Sequence, residues 1–185
     1  ILDTQALVYF ERGYTDSALA LEREAIKGNE TDPSYLYYLS IYEEATGNRD
    51  DAFFHAAQAI LHGDRGAAST KFDEWLKKAM PGEKERQTFK GSIVKKVVDA
   101  YIDDKDPKTL MRKRSAAAVF MANMGVDLQQ AETMAANAVS SIDDNTPLDV
   151  MIAFKTNLAS IHAALGKHAK ALGGLLPVRE LVSPY

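Results

Sequence analysis

The chain has 185 residues and 20.3 kDa, 46% hydrophobic and 26% charged, which suits a folded domain and excludes wholesale disorder. Its lack of cysteine excludes disulfide scaffolding, thiolate catalysis and cysteine-ligated zinc. The net charge of −4 creates no global attraction to nucleic acid or anionic lipid, and no apolar run is long enough to cross a bilayer.

The first predicted pair of helices covers Asp3 to Arg12 and Thr15 to Lys27, ended by Gly28. Asp32-Pro33-Ser34 then opens the next helix, because proline presets φ in a first turn whose N–H needs no partner. The second pair is Ser34 to Thr46 and Asp50 to Leu61, stopped by Gly63 and Gly66. Small residues Ala52, Ala56 and Ala59 line one side of its second helix, so a neighbouring helix can approach closely.

The middle is less regular. Ala67 to Met80 reads as a helix halted by Pro81-Gly82, and Glu83 to Ile102 as a longer one whose stripe is Phe89, Ile93, Val94, Val97, Val98 and Tyr101. Asp103 to Pro107 makes a break. Leu110 to Asn123 and Leu128 to Ser140 flank Gly125, and Leu148 to Leu165 and His168 to Leu176 flank Gly166, followed by a short apolar tail from Leu175 to Tyr185. No hairpin signal for strands occurs, so the expected class is all-α with about ten helices.

One offset organises these helices. Gly13, Ala18, Ala25 and Ile26 recur, all at the same spacing, as Gly47, Ala52, Ala59 and Ile60, and Gly166 and Ala171 keep the same step from turn glycine to small alanine. Glycine takes a left-handed cap without steric cost, and alanine lets the second helix nest against the first. The turn between Gly125 and Ala131 is one residue longer. The interval from Ala131 to Ala171 exceeds that from Ala18 to Ala52 by six residues, an expansion assigned to the connection between repeats. Ordinary hairpins in a non-repetitive bundle are the competing reading.

This pattern resembles the tetratricopeptide repeat family, whose period of about 34 residues equals the offset from Gly13 to Gly47. The resemblance implies a right-handed solenoid of antiparallel helix hairpins, irregular in the middle, with residues 1–185 forming a single repeat domain. It implies a protein- or peptide-interaction scaffold, not an enzyme, holding its partner in a groove lined by first helices. In that register Tyr37, Tyr38, Ile41 and Glu44 face the groove, while Tyr35, Leu39 and Tyr42 form hairpin core. Leu7, Phe10 and Glu11 join the groove from the first repeat, and Asn157 and Ser160 from the last. Tyr42 falls one residue from the family's large packing position, which leaves Glu43 in an inward slot. The basic and amide side chains with which some family members grip a chaperone carboxylate are replaced here by Asp3, Leu7, Tyr38 and Ile41, so that activity is not expected.

Other functions have weaker support. Lys84, Arg86, Lys90, Lys95, Lys96, Lys105, Lys108, Arg112, Lys113 and Arg114 are concentrated enough to meet phosphates. Glu83, Glu85, Asp99, Asp103, Asp104 and Asp106 interleave with them, so a mixed-charge solvated face is expected and no nucleic acid partner. His55, His62, His162 and His168 form no zinc pattern, and the Asp103–Asp106 and Asp143–Asp144 runs lack the glycine and final glutamate of a calcium loop. No phosphate loop or nucleophile elbow is present, so neither metal nor cofactor is expected. With no Met at position 1 and a helix starting almost at Ile1, the sequence reads as a fragment. The alternative function is therefore a regulatory or sensor module of a larger signalling protein. Compartment, cytoplasmic or periplasmic, and oligomeric state stay open.

Overall fold

Aspartate caps begin α3, α7 and α8, and left-handed glycines follow several helix ends. The computed structural model describes residues 1–64 and 66–182, the last three by their backbone alone. Ten helices and no strand occur among the described residues. By their internal contacts they form two units, Ile1–Val97 and Val98–Tyr185. The last three residues of the predicted apolar tail, 183–185, lie outside the described residues.

The first unit holds α1 (Leu2–Glu11), α2 (Thr15–Ala25), α3 (Pro33–Ala45), α4 (Arg49–Leu61), α5 (Ala67–Ala79) and most of α6 (Glu83–Tyr101). Chain neighbours α1 to α5 pack in succession. Gly13 and Gly47 have φ of +82° and +87°, and Tyr14 and Asn48, which follow them, are nearly superimposable at φ/ψ −87°/62° and −81°/61°. In each turn the glycine N–H reaches the carbonyl three residues back and the next N–H the carbonyl five back, as in Gly47 N to Glu44 O at 3.0 Å and Asn48 N to Glu43 O at 2.8 Å. These are Schellman closures, which satisfy the orphan carbonyls of the first helix. Ala18 and Ala52 are fully buried, as close helix approach requires.

Asp32 caps α3 by accepting from Ser34 N and Tyr35 N, with Pro33 at the first position. The core of this unit has two centres. Ala6, Ala18, Leu19, Leu39 and Tyr42 pack together between α1, α2 and α3. Phe53 of α4 meets Phe72 at 5.0 Å, Trp75 at 6.1 Å and Phe89 at 4.9 Å, tying α4, α5 and α6 by aromatic edges. The α5–α6 connection departs from the Schellman pattern, as its irregular sequence foretold. Arg86 closes it instead, donating to the Met80 and Pro81 carbonyls at 2.9 and 2.7 Å.

The second unit holds α7 (Pro107–Asn123), α8 (Leu128–Ser140), α9 (Leu148–Ala164) and α10 (His168–Val182). Helix α9 packs on α7, α8 and α10. Asp106-Pro107 starts α7 as Asp32-Pro33 starts α3, with the Asp106 carboxylate accepting from Thr109 N at 2.7 Å, three residues before the predicted start. The longer turn after Gly125 is absorbed by Asp127, a second left-handed residue at φ +43°, whose carboxylate caps Gln130 N. Ala131 is fully buried and Ala171 nearly so.

Two expectations are corrected here. The six-residue expansion between Ala131 and Ala171 is not in the connection: residues 141–147 match residues 26–32 in length. Helix α8 continues two residues further beyond its small alanine than α2 does, and α9 has 17 residues against 13 in α3. Four residues is close to one turn of ~3.6, so α9 lengthens without rotating its buried face away from its neighbours. Helix α10 also continues past Leu176 through Pro177 to Val182. Gly173, whose carbonyl loses its donor to the proline, is exposed, so water can replace the missing bond.

Candidate functional site

The face predicted to meet a partner in the first unit centres on α3. The Tyr37 and Tyr38 rings are 5.4 Å apart, and both side chains are half-buried. They point different ways. Tyr38 stacks toward fully buried Tyr42 at 6.3 Å and packs, with Ile41 and Phe10, against the α1–α2–α3 core. Phe10 itself lies 4.9 Å from the Tyr42 ring.

Tyr37 turns toward α5, where the Lys71 charge acts on its hydroxyl and burial holds the phenol above its usual range. Glu44 lies on that side too, 3.7 Å from Lys78. Beneath this pair the crevice over Phe53 and Trp75 has a volume of only about 10 Å³, room for no more than a water. That crevice therefore leaves no space for a small molecule. Leu7 is 39% exposed and Glu11 is exposed, both on α1. Of the expected core residues, Leu39 and Tyr42 are buried and Tyr35 is half-buried.

In the second unit Asn157 donates to the buried Ser115 hydroxyl at 2.9 Å, which joins α9 to α7. Ser160 is exposed and its hydroxyl donates to Thr156 O within its own helix at 3.0 Å.

The structure also buries two acids, on α2 and α3. Glu43, in the inward slot, is 1% exposed and meets His55 Nδ1 at 2.6 Å and Arg23 at 3.4 Å. Glu22 of α2 is fully buried, and both its oxygens and the Tyr42 hydroxyl have no hydrogen-bond partner among the described residues. Burial first, and then the negative charge of Asp3, push the Glu22 carboxyl up to about 7. The sequence signal for Glu43 was its one-residue offset from the packing position; Glu22 had none, because it shares α2 with exposed Arg23 and Glu24.

Several of the remaining charged residues have close partners. Lys96 lies over the Phe54 ring at 4.6 Å, Lys113 pairs with Asp104 at 3.0 Å, and Arg86 pairs with Glu83. Asp143 accepts from the Thr146 hydroxyl and Asn145 N, which makes its acidic run a turn. His162 lies 3.1 Å from Glu132, which also accepts from Lys167. Among the described residues no group of three potential ligands could hold a metal ion, and no helix is long and apolar enough to cross a membrane.

No family model and no curated protein matches the sequence. Two solved structures are similar over 97% of this chain and 92% of theirs, at 17% identity and a TM-score of 0.42. They are MamA 41–end from Desulfovibrio magneticus RS-1 and a MamA RS-1 ArsTM double mutant. At that distance the likeness assigns neither a family nor an activity to this chain.

Proposed function

We propose that this chain is a non-enzymatic interaction scaffold whose hairpins hold a protein or peptide partner on the faces of their first helices. The observation that carries the reading is the half-buried Tyr37 on α3, beside the core-packed Tyr38 and within the field of Lys71, Asp64 and Glu74. A tyrosine so placed offers a large rigid apolar surface with a polar tip, the usual chemistry of an interface anchor. Leu7, Phe10 and Glu11 extend the face on α1, Ile41 supports it from below, and Asn157 and Ser160 hold the corresponding positions in the second unit. Specificity comes from the charges around the anchor, Lys71, Asp64 and Glu74, which a partner has to complement.

The test is selection of binders from a displayed peptide library on the immobilised chain. Binders are expected to lose at least tenfold in affinity for Tyr37→Ala, with the far-ultraviolet circular dichroism unchanged. Binders that hold equally well to Tyr37→Ala and to a Leu7→Ala/Glu11→Ala variant would place the binding face elsewhere.

A further inference from the structure

The extra turns of the second unit build something that hairpin packing does not need. Helix α3 runs from Pro33 toward its turn glycine Gly47, α7 from Pro107 toward Gly125, and α9 from Leu148 toward Gly166. Measured back from those glycines, α7 and α9 each start four residues earlier than α3, so the added length lies at the N-terminal ends, 107–110 and 148–151. A cleft of about 250 Å³ opens there, between the start of α7, the α8–α9 connection and the start of α9.

Its floor is apolar. Val150 and Phe154 are buried and Met111 is half-buried, and all three belong to the cluster that joins α7, α8 and α9. Its rim is cationic, formed by exposed Lys108 and Arg112, one helical turn apart on α7. Neither cation closes an ion pair with another described residue. The lining carboxylate, Asp143, is already engaged by the Thr146 hydroxyl at 2.8 Å and by Asn145 N at 3.0 Å. Lys108 lends its charge to Asp143 without reaching it.

We infer that this cleft binds a small organic acid with an apolar body, the body lying on Met111, Val150 and Phe154 and the carboxylate held by Lys108 and Arg112. Small-molecule sites are mostly apolar recesses with a few convergent polar groups, and this one matches that description on both counts. An extended peptide fits less well, because Pro107 and Pro147 at the mouth have no N–H with which to pair its backbone. The unpaired cations select for negative charge, and a fork-shaped guanidinium such as that of Arg112 suits a carboxylate in particular.

The experiment is an NMR titration of the full chain with octanoate, octylammonium and 1-octanol, following the Met and Val methyl groups. Octanoate is expected to saturate, with the largest shifts at Met111 and Val150, and to bind at least tenfold more tightly than the other two probes. Lys108→Glu with Arg112→Glu, both exposed positions whose replacement leaves the core intact, should weaken octanoate at least tenfold and leave octanol unchanged. Tyr37→Ala should change nothing here, which separates this site from the peptide-binding face. Equal binding of octanoate and octylammonium, shifts centred outside the cleft, or full octanoate affinity in the double variant would each overturn the assignment.

Discussion

Glu43 Oε2 lies 2.6 Å from His55 Nδ1, and that contact lets α3 carry an acid that is almost wholly buried. Removing one partner of a buried pair costs more than removing both, because the survivor keeps its desolvation penalty. His55→Ala should therefore lower stability by about 3 kcal/mol in urea unfolding. Arg23, whose side chain is 52% exposed and 3.4 Å away, should matter far less, with Arg23→Ala costing below about 1 kcal/mol. Replacing the pair together, Glu43→Met with His55→Leu, should come close to wild type.

Glu22 makes stability fall as pH rises. Its carboxyl titrates at about 7 when folded, against 4.5 as the ordinary value, so the folded chain binds that proton more tightly than the unfolded chain. The resulting stabilisation is fully present below pH 4.5 and is lost as pH rises through about 7. Asp3 of α1 acts on it directly, and Glu22 in turn raises the neighbouring Tyr42 phenol of α3. His62, whose pKa burial lowers, works in the opposite direction over the upper part of that range, so the useful measurement is the difference between wild type and Glu22→Gln. That difference should grow in favour of Glu22→Gln by on the order of 3 kcal/mol between pH 4 and pH 8. A pH-independent difference would show that the carboxyl does not hold its proton in the folded chain.

The two adjacent tyrosines should separate by thermal unfolding. Tyr38→Ala removes a ring that stacks on Tyr42 and packs against α1 and α2, and should cost about 3 kcal/mol. Tyr37→Ala removes a half-buried ring that lies outside the α1–α2–α3 core and should cost roughly 1 kcal/mol. Comparable losses from both would make Tyr37 a core residue.

Turn geometry predicts a third contrast. A Cβ at Gly47 would meet no atom within 4 Å, so Gly47→Ala should lose only the conformational preference at φ +87°, about 1 kcal/mol. Asp127 is also left-handed, and its side chain caps α8. Asparagine keeps both abilities and alanine neither. Asp127→Asn should leave the denaturation midpoint nearly unchanged, whereas Asp127→Ala should cost about 1 to 2 kcal/mol.

The amino-acid sequence determined the hairpins. Gly13, Gly47, Gly125 and Gly166 follow helix ends because glycine takes positive φ without strain, Asp-Pro starts two helices by capping and preset φ, and Ala18 and Ala52 are buried where helices approach. Each is a matter of one residue and its near neighbours, so spacing along the chain is enough to read it. The tertiary structure decided what depends on partners distant in the chain. Glu43 is compensated by residues 12 positions later and 20 earlier, Glu22 is desolvated by the packing of α1 and α3 against α2, and the extra six residues lengthen α8 and α9 while their connection keeps its length. Adding close to a whole turn preserves the face a helix buries, and only the packed neighbours reveal that the added length opened a cleft with an apolar floor and two uncommitted cations at its rim.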